Sequence, residues 1–328
     1  MNLSTLVPSP AYPFHLDFQS KLLCIGSCFS DNVGQRLENL KFSCSNNPAG
    51  ILFNPSSIFR LLHLALNGDS INESHIIHRD GLYFHLDYHS QIYATTKEAL
   101  IEKLISTNQK IGKQLLDIDL CVITMGTAWA YEKDGIVIAN CQKLPANQFT
   151  KKLLELHEMQ EQFDRFYTSL KDINPSCNIL FTVSPIRHWK EGATDNQVSK
   201  SILHLLKHEL CNRYKNVFYF PSYEILMDEL RDYRFYSEDL LHPSKMAFEH
   251  IWERFSSSLL DKKTLKTAKA IQKLLIGLNH TVLYPEAESH LKHLNHLKKE
   301  ILALQSQNIS LTSELELIQS KIEALNRP

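Results

Sequence analysis

The chain has 328 residues with 35 Lys+Arg against 36 Asp+Glu, a formal net charge of -1, so it has no global positive field and phosphate-driven nucleic-acid binding is not expected. Hydrophobic residues make up 43% and charged residues 22%, the balance of a chain that buries a core, which excludes disorder throughout. The longest apolar runs, Leu120 to Met125 and Ile179 to Val183, fall far short of the roughly 20 residues that cross a bilayer, so no membrane span is predicted.

The first residues lack both a basic start and a sustained apolar stretch, so no secretory signal is read and the chain is expected to be cytoplasmic, or to lack a leader that it once carried. Short apolar runs then alternate with helical patterns up to about residue 258, the pattern of a mostly parallel sheet covered by helices. In chain order, strands are predicted at Leu22 to Ile25, Leu120 to Met125, Ile179 to Val183 and Val217 to Phe220, with a weaker one near Phe42 to Ser45. Helices are predicted at Asp31 to Asn39, Ser56 to Leu66, Lys97 to Ser106, Phe149 to Lys171, Asn196 to Tyr214 and Lys245 to Leu260. Between Ile76 and Ala94 alternation around Arg79-Asp80-Gly81 predicts an inserted hairpin. Seven scattered cysteines, an odd number mostly within apolar runs, read as reduced thiols, and Cys24 with Cys28 has no second pair at zinc spacing.

Four of the strands end in polar or Gly/Pro clusters, and in open α/β sheets ligands bind outside the carboxyl ends of strands. Cys24-Ile25-Gly26-Ser27-Cys28 runs from a buried strand through glycine to a serine at the mouth of a helix, where unpaired amides can stabilise an oxyanion. The plainer reading is that Ser27 only caps the helix. Far downstream, Asp239-Leu240-Leu241-His242 places a carboxylate three residues before an imidazole, the base-and-orienter half of a Ser/His/Asp device. Its plainer reading is a helix N-terminal segment with a surface Asp.

Together these segments resemble the SGNH hydrolase superfamily, and more narrowly the GSCFA-domain family, since Gly26-Ser27-Cys28-Phe29-Ser30 departs from that family's name motif only at its last residue. Asn47-Pro48-Ala49-Gly50 with Asn54-Pro55-Ser56, Met125-Gly126-Thr127-Ala128-Trp129, Ala139-Asn140-Cys141 and Thr182 to His188 are similar to that family too. Over residues 15 to 258 the resemblance implies a flavodoxin-like three-layer α/β/α sandwich with a Ser27, Asp239, His242 triad acting on ester or acyl groups. One departure matters: the superfamily's Gly-x-Asn oxyanion donor is represented by Gly126 but lost at Ala128. The amides of Ser27, Gly50 and Gly126, with Asn54, Thr127 or Asn140, are the candidates to replace it. Substrate contacts are assigned to Arg187, His188, His89 and Trp129. No cofactor and no metal are predicted; His85, Asp87 and His89 alternate as one face of a strand would, but read as polar residues of the insertion.

From residue 287 onward Leu294, Leu297, Ile301, Leu304, Asn308, Leu311, Leu315, Ile318, Ile322 and Leu325 recur at spacings of three and four. This predicts a coiled coil over 287–328, with Asn308 setting the register of a parallel homodimer, against the alternative of a hairpin folding onto Leu265, Ala268, Ile271, Leu275 and Leu278. The predicted layout is thus a hydrolase domain over 1–260 with an insertion over about 55–117, a linking helix over 261–286 and the coiled coil. The functional expectation is a serine esterase or acyltransferase working through an acyl-enzyme on a small-molecule or glycan ester. Its rival is a scaffold protein of the same fold whose oxyanion hole has decayed at Ala128.

Overall fold

In the computed structural model, which describes residues 5–280, 283–284 and 287–325, an extended segment leads into β1 (Lys21–Gly26), α1 (Cys28–Asn39) and β2 (Ser43–Asn46). Helix α2 (Pro55–Asn67) is followed by an antiparallel sheet of β3 (Ile76–Arg79), β4 (Leu82–His85) and β5 (Tyr93–Ala94), and then by α3 (Lys97–Leu115). Strand β6 (Leu120–Met125) precedes a second antiparallel sheet, β7 (Trp129–Lys133), β8 (Ile136–Ile138) and β9 (Thr150–Leu153). Then come α4 (Leu156–Ile173), β10 (Asn178–Val183), α5 (Gly192–Arg213), β11 (Val217–Tyr219) and the short turn α6 (Ser222–Glu224). The chain ends in α7 (Lys245–Leu259), α8 (Lys262–Leu278), α9 (Glu288–Gln305) and α10 (Thr312–Leu325).

The five predicted central strands form one parallel sheet in the order β11-β10-β6-β1-β2. Successive side chains of a strand point to opposite faces, and the core divides accordingly. Leu23, Ile25, Cys121, Ile123, Ile179 and Phe181 face one buried cluster shared with α2, α3, α4 and α5. Leu22, Cys24, Leu120, Val122 and Leu180 face the other, shared with α1, α7 and the C-terminal helices. A sheet covered on both faces explains why its strands read as continuous apolar runs.

The hairpin predicted around Arg79-Asp80-Gly81 forms as β3 and β4, with Asp80 and Gly81 at φ of 52° and 76° in the left-handed region that such a tight turn needs. The second sheet was not predicted, and β9 takes residues assigned to the start of a helix, which instead begins at Leu156. Its signal was present in Asp134-Gly135, whose φ values of 52° and 77° repeat the same turn chemistry.

The C-terminal expectation needs correction. The heptad stretch is not one continuous helix: α9 and α10 are separated by a turn in which Asn308 has φ of 63°. Asparagine tolerates that conformation, so the residue read as a register device is the turn residue instead. Leu294, Leu297, Ile301, Leu304, Leu311 and Ile318 are buried with Ala268, Ile271, Leu274 and Leu278 of α8 in the cluster that also holds Trp252 and Phe255 of α7. Lys41 reaches Glu314 of α10 at 2.6 Å, which ties the hairpin to the α/β layer. Residues 326–328 lie outside the described ones.

Candidate active site

Ser27 follows β1 at the carboxyl edge of the sheet. The preceding Gly26 has φ of 135°, and a Cβ there would stand 2.1 Å from the Thr124 carbonyl oxygen, so the close approach of β1 to β6 requires glycine. The Gly26 amide donates to Asn47 Oδ1 at 2.9 Å and the Ser27 amide to the Thr124 carbonyl at 3.1 Å. Ser27 stands at the N-cap position of α1, yet its side chain makes no capping bond; its Oγ is buried without a partner. The capping reading therefore fails; Ser27 shares its unpaired buried hydroxyl with Ser30, Ser56, Ser57 and Thr124, but it alone of these sits at the carboxyl edge where β1 runs into α1. Cys28 is the rival nucleophile beside it. Burial pushes its thiol up, outweighing the downward pull of its own and the Phe29 amides and of Lys200, so it is not poised as a thiolate.

The Asp239-x-x-His242 segment forms a loop closed by Ser237 N–H donating to the His242 carbonyl at 2.8 Å, with Leu240 at φ of 58°. Asp239 Oδ1 accepts the Leu241 and His242 amides at 3.0 Å each, and Oδ2 meets His242 Nδ1 at 2.5 Å. The two amides and then the imidazole hold the Asp239 carboxyl down to about 2. With Nδ1 engaged by the carboxylate, Nε2 is the ring nitrogen left to act as base. No hydrogen bond joins His242 to Ser27 among the described residues; the charge of His242 bears instead on His188, whose Nε2 would lie 3.3 Å from a Cβ at Gly126.

Most of the expected oxyanion donors are engaged elsewhere. Gly50 N–H donates to the Asn47 carbonyl at 2.7 Å, and Gly126 and Thr127 N–H both donate to the Phe53 carbonyl, at 2.8 and 3.1 Å. Asn54 caps α2 through Oδ1, which accepts Ser57 N–H at 2.8 Å, while its Nδ2 donates to the Ile138 carbonyl at 3.3 Å. Asn140 Oδ1 accepts Gln142 N–H at 2.8 Å within its own turn. The Thr127 hydroxyl meets Ser199 Oγ at 3.0 Å and accepts Trp129 N–H at 3.0 Å.

His188 is a different case. Its backbone amide is held by Asn196 Oδ1 at 2.9 Å and its ring packs edge-on against Phe53, with centroids 5.3 Å apart. Its ring nitrogens have no hydrogen-bond partner among the described residues, and burial, then Lys200, then His242 push its imidazole down to about 4. Arg187 lines a groove beside the His242 loop. His89 lies against Gly50, where its Cβ would be 2.2 Å from one on the glycine. Trp129 is tied to the Asp195 carbonyl through Nε1 at 3.1 Å and carries Lys151 over its ring at 4.4 Å. His85, Asp87 and His89 do not share a strand face: β4 ends at His85, which donates through Nε2 to the Asn72 carbonyl, while Asp87 binds His75 and Arg60.

Sequence reasoning missed Lys200. It is fully buried on α5, with Nζ donating to the Gly126 carbonyl at 2.8 Å and to the Ser184 carbonyl at 2.7 Å, so it joins the carboxyl ends of β6 and β10. Burial pushes its ammonium down to about 7. Ser199, one residue earlier, accepts the Ala128 amide at 2.7 Å. The available signal was Asn196, Ser199 and Lys200 falling on one face of a helix whose other buried positions are leucines.

The fold and site define an α/β protein with a parallel central sheet, helices on both faces, a C-terminal helical region and a polar cluster at the sheet's carboxyl edge. The GSCFA family model matches residues 21–255 and that of the GSCFA domain protein, C-terminal domain, matches residues 271–324; the chain belongs to the GSCFA family. No curated protein matches it. Among the described residues no helix is long and apolar enough to cross a membrane.

Proposed function

We propose that the protein is a serine esterase or acyltransferase of SGNH type on a flavodoxin-like sandwich. The strand order, which places β1 between β2 and β6 and continues to β10 and β11, supports the fold assignment, being the 2-1-3-4-5 order of that architecture. The observation that carries the activity is the Asp239–His242 couple already in hydrogen-bonded order, beside a Ser27 Oγ left without a partner at the strand-to-helix turn of β1 and α1, which this reading brings together.

In this reading Ser27 Oγ attacks the ester carbonyl carbon while His242 Nε2 takes its proton. Asp239 holds the imidazole tautomer and stabilises the imidazolium. The tetrahedral intermediate then collapses, the carbon–oxygen bond to the alcohol breaks, and His242 returns the proton to the departing oxygen. Water or an acceptor alcohol repeats the sequence in reverse and frees the serine. The oxygen of the intermediate is assigned to His188 Nε2–H. An imidazole beside Gly126 lies near the strand end where the missing Asn would stand, and because burial keeps it neutral near pH 7 it has a single N–H, which this reading places on Nε2.

The test is covalent labelling by a fluorophosphonate probe with the modified peptide mapped by mass spectrometry. Wild type is expected to label at Ser27 and to hydrolyse a short activated ester, and Ser27→Ala to lose both with an unchanged melting temperature. Labelling that survives the substitution sinks the triad; a wild type that neither labels nor turns over any ester favours the scaffold reading.

A further inference from the structure

A groove of about 520 Å³ runs beside the loop that carries His242 and is lined by Arg187, Trp189, Arg231 and Tyr233 together with the carboxylates of Asp232 and Asp239. A general acid hands its proton to the departing oxygen, so the alcohol half of an ester must lie on the side of the imidazole. The groove lies against Asp239, Leu240 and Leu241 of the loop that carries that imidazole. We infer that the groove is the alcohol subsite of the proposed esterase and that it selects an alcohol bearing an anionic group on a ring-shaped body, as an acidic sugar does. The inference rests on the esterase reading for the word alcohol, but not for the anion.

The lining carries the chemistry. Trp189 and Tyr233 are 49% and 76% exposed, more than large aromatic side chains present without a partner surface to meet, and a flat saccharide face is such a surface. The Arg187 guanidinium lies 5.0 Å from the centre of the Trp189 ring, which holds it at the groove wall, and its Nε is buried without a partner. Arg231 donates through Nε to the Asp228 carbonyl at 3.1 Å and forms no ion pair among the described residues. The nearby carboxylates are already engaged: Asp232 by Arg234 at 2.8 Å, and Asp239 by His242. Two guanidiniums without carboxylates of their own, flanking exposed rings, fit a carboxylate or phosphate, which arginine takes through paired N–H donors.

The test separates binding from turnover by using the full chain carrying Ser27→Ala. Calorimetric titration with glucuronate, glucose 6-phosphate and glucose is expected to show binding of an anionic sugar at least tenfold tighter than of glucose. That preference should weaken as salt rises and disappear in Ser27→Ala combined with Arg187→Met or Arg231→Met. Tighter binding of the phosphate assigns a phosphorylated alcohol, and tighter binding of glucuronate a carboxylated one. Equal binding of all three, or binding of none, overturns the inference. In wild type, monoacetylated glucuronate should be hydrolysed with a KM at least tenfold below that of monoacetylated glucose. Anion-selective binding without hydrolysis of any ester keeps the subsite and removes the esterase; hydrolysis of both sugars with equal KM keeps the esterase and removes the anion subsite.

Discussion

His188 and Lys200 both lie against Gly126 and are both shifted by burial, yet they make different claims. If His188 Nε2–H is the oxyanion donor, His188→Ala lowers kcat by roughly a hundred- to a thousandfold while KM hardly moves, because the bond is made only in the transition state. His188→Asn, which keeps a side-chain N–H, recovers part of the loss. A kcat unchanged in His188→Ala assigns the donor elsewhere. Lys200 touches no candidate reacting atom; it positions Gly126 and Ser184 through their carbonyls. Its folded pKa is lowered to about 7 from an ordinary 10.5, so below pH 7 the folded and unfolded chains both carry the proton and the full cost of burying the charge is present. As pH climbs from about 7 toward 10.5 the folded chain alone has shed its proton, and stability from this group rises. Lys200→Met has no such titration, so the unfolding free energy of wild type minus variant should grow from pH 7 to 10, read by urea unfolding at each pH. A difference that stays flat means the lysine titrates at its usual place.

Among the elements, the C-terminal hairpin makes the sharpest prediction. Ile301 is fully buried on α9 against the α8 face, and Ile301→Ala should cost about 2–4 kcal/mol in chemical unfolding through lost transfer and an unfilled cavity. A loss below 1 kcal/mol would mean that the hairpin is not docked. The central strands were legible in the sequence because burial on both faces leaves an uninterrupted apolar run with a polar stop, as in Leu120 to Met125. The small sheet of β7, β8 and β9 was not, because its strands are half-buried and mixed, and only the Asp134-Gly135 turn marked it. The seam over 294–325 was legible as a seam but not in its pairing, since a heptad pattern gives the apolar face and is silent on which chain covers it; here α8 does, and joining segments of one chain costs less entropy than recruiting a second. At the proposed site, Ser27 and Asp239-x-x-His242 were singled out by their context and joined by the resemblance to SGNH hydrolases, whereas Lys200 was hidden in a helix that reads as ordinary until its neighbours are known.

The whole molecule does not divide where its two family matches do. Residues 21–255 and 271–324 are matched separately, but Trp252, Phe255, Ile271, Leu274 and Ile301 share one buried cluster. Calorimetry is therefore expected to give one cooperative transition rather than two, and a chain ending at residue 286 should melt lower and bind a hydrophobic dye, because the α8 face loses its cover; two resolved transitions would show that the parts fold separately. The same integration reaches the other end of the chain. Val7 N–H donates to Glu229 at 3.0 Å, Tyr12 donates through its hydroxyl to the Tyr219 carbonyl at 3.0 Å, and Leu16 N–H donates to the Leu259 carbonyl at 2.8 Å. Val7 and its partner are 222 positions apart in the chain. At a synthesis rate of about 5–20 residues per second, the segment around Tyr12 and Leu16 waits roughly 10–50 s on the ribosome before the surface it seals has been made. The segment made long before its partners is thus among the last to close, and for that interval its apolar side chains are open to chaperones and to neighbouring nascent chains.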